Sequence, residues 1–163
     1  MTKAVVFDLD GTLVDLPVDY ENLFQEFKRI MHVENLRPLA ETVASVDEKT
    51  RKQVFKAWDR AELDCCPNVT ANAEGMKIYQ AHVDKPKALV TLQGKRVVKT
   101  LLKQFALVFD VVVTREDSLG RAKQLQIAAK KLGVPLEKVL FVGNADSDQK
   151  AAEKLHIQFL RVE

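Results

Sequence analysis

The chain has 163 residues, room for one domain or a core with a small insertion, and 47% hydrophobic against 29% charged residues is an ordinary globular composition, not a disordered one. Lys+Arg 25 against Asp+Glu 23 leaves a net charge of +2, too balanced for a nucleic-acid surface, and no apolar run approaches the roughly 18 residues of a membrane span. Cys65 and Cys66 are adjacent, which is poor disulfide geometry and lacks metal-ligand spacing, and the apolar run before Asp8 is too short for a secretory signal, so a cytoplasmic chain with free thiols is expected.

Ala4-Val5-Val6-Phe7 reads as a fully buried strand that ends in Asp8-Leu9-Asp10-Gly11-Thr12. In an open parallel sheet, ligands bind at the carboxyl ends of the strands, where Asp8 falls. Alternation along an extended chain puts Asp8 and Asp10 on one face and Leu9 in the core. Two carboxylates this close call for a cation between them or a proton on one. A hard divalent ion such as Mg²⁺ fits, and Gly11 lets the chain turn sharply after the acids.

After Asp15 the pattern becomes helical. Asp19 is a plausible N-cap for a helix with Tyr20, Leu23, Phe24, Phe27, Ile30 and Met31 on one face. Pro38 suits the start of a second helix with Leu39, Val43 and Val46, and a third, capped near Asp47, presents Val54, Phe55, Trp58 and Ala61. Residues 16–66 thus form a helical insertion. A further helix carries Val69, Ala73, Met76, Tyr79 and Val83.

From Lys87 strands and helices alternate: strands at Ala88–Thr91, Val108–Thr114, Val139–Gly143 and Ile157–Val162, with helices around Val97–Phe105, Gln124–Leu132 and Ala151–Leu155. Crossovers of this length imply a parallel sheet with helices on both faces. Thr91 ends its strand just before Gly94 and a helix start, where a hydroxyl beside free helix N–H groups can bind a phosphate oxygen. Arg121 and Lys123 lead into the next helix, two residues apart and so facing different directions. Asp146 reads as an N-cap of the last helix. His32, His82 and His156 read as structural, and Asp110, Glu116 and Asp117 as loop or strand-end charges.

Asp8-Leu9-Asp10-Gly11-Thr12 resembles the first motif of the haloacid dehalogenase superfamily of phosphohydrolases. Leu89-Val90-Thr91 looks like its second motif, the stretch Asp117–Lys123 stands where its third motif's cation belongs, without the usual Lys-Pro, and Gly143-Asn144-Ala145-Asp146-Ser147-Asp148 resembles its fourth with Asn144 in place of the first acid. The resemblance implies an α/β fold, a Rossmann-like parallel sheet flanked by helices, with residues 1–15 and 67–163 as the core and 16–66 as a small helical cap. It implies Asp8 as nucleophile, Asp10 as general acid/base, Thr91 with Arg121 or Lys123 on the phosphate, and a Mg²⁺ shell of Asp8, the Asp10 carbonyl, Asn144 and Asp148, directly or through water.

The activity implied is hydrolysis of a small phosphorylated metabolite, with no nucleic-acid or membrane partner. An acid at position 10 fits phosphatases better than the dehalogenase branch. A phosphomutase and a non-catalytic phospho-ligand-binding protein on the same fold stay open.

Overall fold

The chain runs β1 (Ala4–Phe7), β2 (Val14–Asp15), α1 (Tyr20–Met31), α2 (Leu39–Ser45), α3 (Glu48–Cys65), β3 (Thr70–Ala71), α4 (Ala73–Ala81), β4 (Lys87–Val90), α5 (Lys95–Gln104), β5 (Val111–Val113), α6 (Arg121–Leu132), β6 (Val139–Gly143), α7 (Asp146–Lys154) and β7 (Gln158–Arg161) in the computed structural model, which describes residues 1–163. Five strands form a parallel sheet in the order β5-β4-β1-β6-β7. Strand β1 lies at its centre, every residue of it apolar and buried. Val5 and Phe7 pack on one face with α4 and α5, and Val6 on the other with α6 and α7. Both faces are covered, which is why these strands read as continuous apolar runs rather than alternating ones.

The insertion leaves and rejoins the core through a short antiparallel ribbon, β2 against β3, with Val14 opposite Ala71 and Asp15 opposite Thr70. Neither strand is visible in the sequence, being two residues long. Helices α1–α3 build a separate apolar cluster around Phe27, Val54 and Trp58 that meets the core at Leu92 and Leu119. Asp19 and Asp47 cap α1 and α3, accepting from the Asn22 and Thr50 N–H groups at 3.1 and 3.2 Å, each such cap contributing about 1 kcal/mol.

Several expected elements differ in extent. The run Val108–Thr114 is a strand only over Val111–Val113, because the Tyr79 hydroxyl donates to the Val108 carbonyl and accepts from its N–H at 3.1 and 2.8 Å. Val69 and Val83 lie outside α4, which starts after Asn72, whose side chain accepts from Gly75 N–H. Asp146 is the first residue of α7, not its cap; the Asp148 carboxylate instead accepts from the N–H groups of Asn144 and Ala145.

Candidate active site

Asp8 stands one residue beyond β1, its N–H donating to the Val142 carbonyl at 2.9 Å. The Leu9 carbonyl then accepts from the N–H groups of Thr12, Leu13 and Val14 at 3.2, 2.9 and 3.2 Å, closing the chain into a tight loop. Gly11 makes that loop possible at φ +79°, and a Cβ there would meet the Asn144 side chain at 2.2 Å. The loop turns the Thr12 hydroxyl back onto Asp8 Oδ2 at 3.2 Å.

Arg121, the first residue of α6, reaches the other oxygen. Its Nη2 donates to Asp8 Oδ1 at 3.0 Å, its Nε to Asp148 Oδ1 at 2.9 Å and its Nη1 to Gln124 Oε1 at 2.6 Å. Gln124 is fully buried and donates to the Thr91 and Ser118 carbonyls, both at 2.8 Å. The guanidinium is therefore held on three sides before any ligand arrives, a preorganised positive charge beside Asp8.

Asp10 is held by the start of the insertion. Leu16 N–H donates to its Oδ1 at 2.9 Å and the Tyr20 hydroxyl to its Oδ2 at 3.2 Å. Burial pushes the Asp8 carboxyl up to about 7, against the pull of Arg121, with the Asp148 and Asp10 charges adding to the rise. Burial also raises Asp10, while the Leu16 and Tyr20 hydrogen bonds restrain it. The Tyr20 hydroxyl is itself pushed well up by burial and by Asp10 beside it, so it stays a donor.

A Mg²⁺ site is tested by the oxygens facing one another here. No trio of carboxylate, imidazole or thiol groups converges anywhere in the chain. Asn144, however, presents one end of its amide to Asp8 Oδ2 at 3.0 Å and to the Asp10 carbonyl at 3.3 Å. With nitrogen in that position the amide donates to both oxygens and acts as a built-in stand-in for a cation. Turned over, it brings a third oxygen to the same point. Mg–O bonds of about 2.1 Å give octahedral edges of about 3.0 Å, so this spacing suits a hard cation, and the residues fit.

The expected residues divide accordingly. The structure brings Asp8, Asp10, Arg121 and Asn144 together. Asp148 stands behind them, its oxygens accepting from Arg121 and the two backbone amides, so it anchors the arginine and leaves a place in a metal shell only through water. Lys123 is exposed on α6, in no ion pair, and does not reach Asp8; the cation there is Arg121. Thr91 lies fully buried at the end of β4, its hydroxyl bonded to the Gln93 side chain and accepting from Gln93 N–H at 3.1 Å. Tyr20 and Gln124 were not expected here. Tyr20 sits among apolar positions at helical spacing, and nothing in that spacing separates a core ring from one whose hydroxyl faces a carboxylate.

A second buried charge cluster ties the insertion to the core. Arg115, just past β5, is fully buried, with Nη2 on Asp59, Nη1 on Glu62 Oε1 at 2.9 Å and on the Leu92 carbonyl at 3.0 Å. Its guanidinium lies over the Trp58 ring at 4.4 Å. Glu62 Oε1 also accepts from Gly94 N–H at 3.1 Å, and burial raises its carboxyl to about 7 against the pull of Arg115. A Cβ at Gly94 would come within 2.3 Å of Asp59 and 2.7 Å of Arg115 Nη2, so a side chain there would push these two partners apart. Cys65 and Cys66 are free and buried at the end of α3, both thiols donating to the Glu62 carbonyl. The other charges are structural: Glu116 accepts from Lys95 N–H, Asp117 from Thr114 N–H and Asp110 from Lys87 N–H.

A family model described as haloacid dehalogenase-like hydrolase matches residues 25–162. Among solved structures, a hydrolase from Pseudomonas syringae superposes with a TM-score of 0.73 at 21% identity, covering 98% of this chain and 84% of that one. A subfamily IA hydrolase of the same superfamily from Geobacter sulfurreducens gives 0.67 at 18% identity, covering 99% and 89%. CbbY from Rhodobacter sphaeroides, solved in complex with phosphate, gives 0.68 at 15% identity, covering 98% and 85%. No curated protein matches the sequence. No helix is long and apolar enough to cross a membrane.

Proposed function

Because the chain belongs to the haloacid dehalogenase-like hydrolases, we propose that it is a Mg²⁺-dependent phosphatase acting on a small phosphorylated metabolite, with Asp8 as nucleophile and Asp10 as general acid and base. The observation that carries this reading is the fork of Arg121, which holds Asp8 Oδ1 at 3.0 Å while Oδ2 and the Asp10 carbonyl both face the Asn144 amide.

Asp8, the Asp10 carbonyl and Asn144 would hold the metal. Bound there, Mg²⁺ would supply positive charge that keeps Asp8 ionised and offsets the phosphoryl oxygens. In the first step an Asp8 oxygen forms a bond to phosphorus as the ester P–O bond breaks, and Asp10 gives its proton to the leaving alkoxide. In the second, Asp10 takes a proton from water as that water attacks phosphorus, releasing phosphate and restoring Asp8.

The two acids need opposite protonation states. Burial raises both, Asp8 to about 7 even beside Arg121, so the charge of a bound cation would be what ionises Asp8 for attack, while Asp10, with no cation on its carboxyl, would carry the proton. Arg121 steadies the phosphoryl oxygens as charge spreads over them. Thr91, at the end of the neighbouring strand, orients the phosphate once its hydroxyl turns from Gln93. The insertion over residues 16–66 acts as a cap, with Tyr20 its direct contact to Asp10.

The test is phosphate release from an aryl phosphate and a panel of metabolite phosphates, with Mg²⁺ or with EDTA. Wild-type turnover is expected to require Mg²⁺ and to fall by at least about 10³-fold in Asp8→Asn. Folded wild-type protein with no turnover across the panel would overturn the assignment.

A further inference from the structure

A cleft of about 650 Å³ runs from Arg121 along the gap between α2 of the insertion and the start of α6 and the exposed side of α7. One end is the guanidinium that holds Asp8 at 3.0 Å. Its middle is apolar, from Leu39, Leu92 and Leu119. Along its core wall stand Lys150 and Lys154, four residues apart and so on one side of α7.

The charges around the cleft do not cancel. Arg121 is already matched by Asp8 and Asp148, whereas Lys150 and Lys154 are in no ion pair. Asp146, the acid at the start of the same helix, pairs with Arg161 at 2.8 Å and feels Lys150 only as a lesser neighbour. Glu41, on the facing wall, is the one carboxylate that lines the cleft, and it too is in no ion pair. Two unmatched cations against one anion leave the far part of the cleft positive.

We infer that the substrate carries a second anionic group, phosphate or carboxylate, at the end of a hydroxylated or apolar body, and that Lys150 and Lys154 receive it. This rests on the phosphatase reading for the identity of the first anion. Lys150 and Lys154 lie two and six residues beyond Asp148, the partner of Arg121, about 3 and 9 Å further along the axis at a rise of about 1.5 Å per residue. A six-carbon chain phosphorylated at both ends is long enough to reach along this wall. Lysine suits this position as a mobile point charge that follows an anion of either shape, where an arginine fork would select one geometry.

The experiment is calorimetric titration of the Asp8→Asn protein, which keeps the ligands intact, with a hexose 1,6-bisphosphate, the matching hexose 6-phosphate and 6-phosphogluconate. The bisphosphate or the phospho-acid is expected to bind at least tenfold more tightly than the monophosphate, and which of the two wins identifies the second group. Adding Lys150→Met and Lys154→Met should reduce that ratio to below twofold, and Glu41→Gln should raise it by removing the opposing charge. A ratio below twofold in the Asp8→Asn parent, or one untouched by the lysine changes, overturns the inference. Aryl-phosphate turnover by the wild type separates the two proposals. Turnover without the ratio leaves the phosphatase standing and the second-anion site gone, and the ratio without turnover does the reverse.

Discussion

The molecule contains the same charge arrangement twice: one guanidinium between two carboxylates, Arg121 between Asp8 and Asp148, and Arg115 between Asp59 and Glu62. In both clusters burial lifts one carboxyl to about 7. They differ in what remains unsatisfied. At Asp8 the second oxygen faces a hydroxyl and an amide that can exchange partners around a cation. At Glu62 the second oxygen has no partner, and Trp58 Nε1 and Arg115 Nε are buried unpaired beside it. A charged triad becomes a site when its leftover polar atoms face groups that can exchange partners; walled in by Trp58 and Phe55, the other triad is a fastening.

The most severe way to break this contrast is Arg115→Met. It leaves Asp59 and Glu62 without their cation at the seam between insertion and core, and a loss of about 3–5 kcal/mol is expected in denaturant unfolding, the usual cost of orphaning a buried ion-pair partner. A loss below about 1 kcal/mol would show that the triad does not fasten the two parts.

The next largest effect is read through pH. Glu62 has a folded value raised above its ordinary one, so the folded state holds the proton more tightly. Its contribution is fully present below about 4.5 and is lost as pH rises to about 7, where the carboxyl must ionise in place. Stability is expected to decline by a few kcal/mol across that window, and Glu62→Gln should flatten the decline. Asp8 titrates up to the same value, so Asp8→Asn should remove a separate share of the slope. A Glu62→Gln melting profile that keeps the whole slope would assign it to the site alone.

Asn144→Asp sharpens the contrast from the site's side. A second carboxylate 3.0 Å from Asp8 Oδ2 cannot donate to it, so metal-free stability should drop by about 1–2 kcal/mol. Mg²⁺ should then bind about tenfold or more tightly, and the melting shift on adding Mg²⁺ should exceed that of the wild type. Equal shifts would argue that Asn144 does not face the cation.

Smallest is Tyr20→Phe, which removes one hydrogen bond from Asp10 and keeps the ring. The hydroxyl holds the Asp10 carboxyl down, so its loss should raise that group and carry the alkaline limb of the pH–rate profile upward, with kcat falling by about 3- to 10-fold. An unshifted limb would make Tyr20 a packing residue.

Much of the sheet was legible because its strands are short apolar runs ending in an acid, a glycine or a hydroxyl residue. Ala4–Phe7 and Val139–Gly143 carry their own boundaries. Asp8 and Gly11 were legible for a local reason, since two acids and a glycine in five residues already imply a cation and a turn. Choosing Arg121 over Lys123 needed the helix phase, which the sequence leaves open until the first residue of α6 is known. Arg115 was hidden altogether. It reads as a solvated loop charge because its partners, Asp59 and Glu62, lie more than fifty positions away on another element. The hydrogen bonds of Asp148 were hidden for a related reason: a carboxylate three residues into a helix can serve the helix's own N–H groups, and that competition is not written in a motif.

The ribbon of β2 and β3 has a consequence for how such a chain can vary. Asp15 and Thr70 face each other as neighbours in a hairpin, so everything between them is topologically one long hairpin loop. The entropy of closing a loop grows only with the logarithm of its length, about 0.6 kcal/mol for each doubling. An ancestor could therefore lengthen, shorten or exchange this segment while the parallel sheet kept its register. Selection for a new substrate could act on one cassette of helices, provided each version kept a contact on Asp10 such as that of Tyr20.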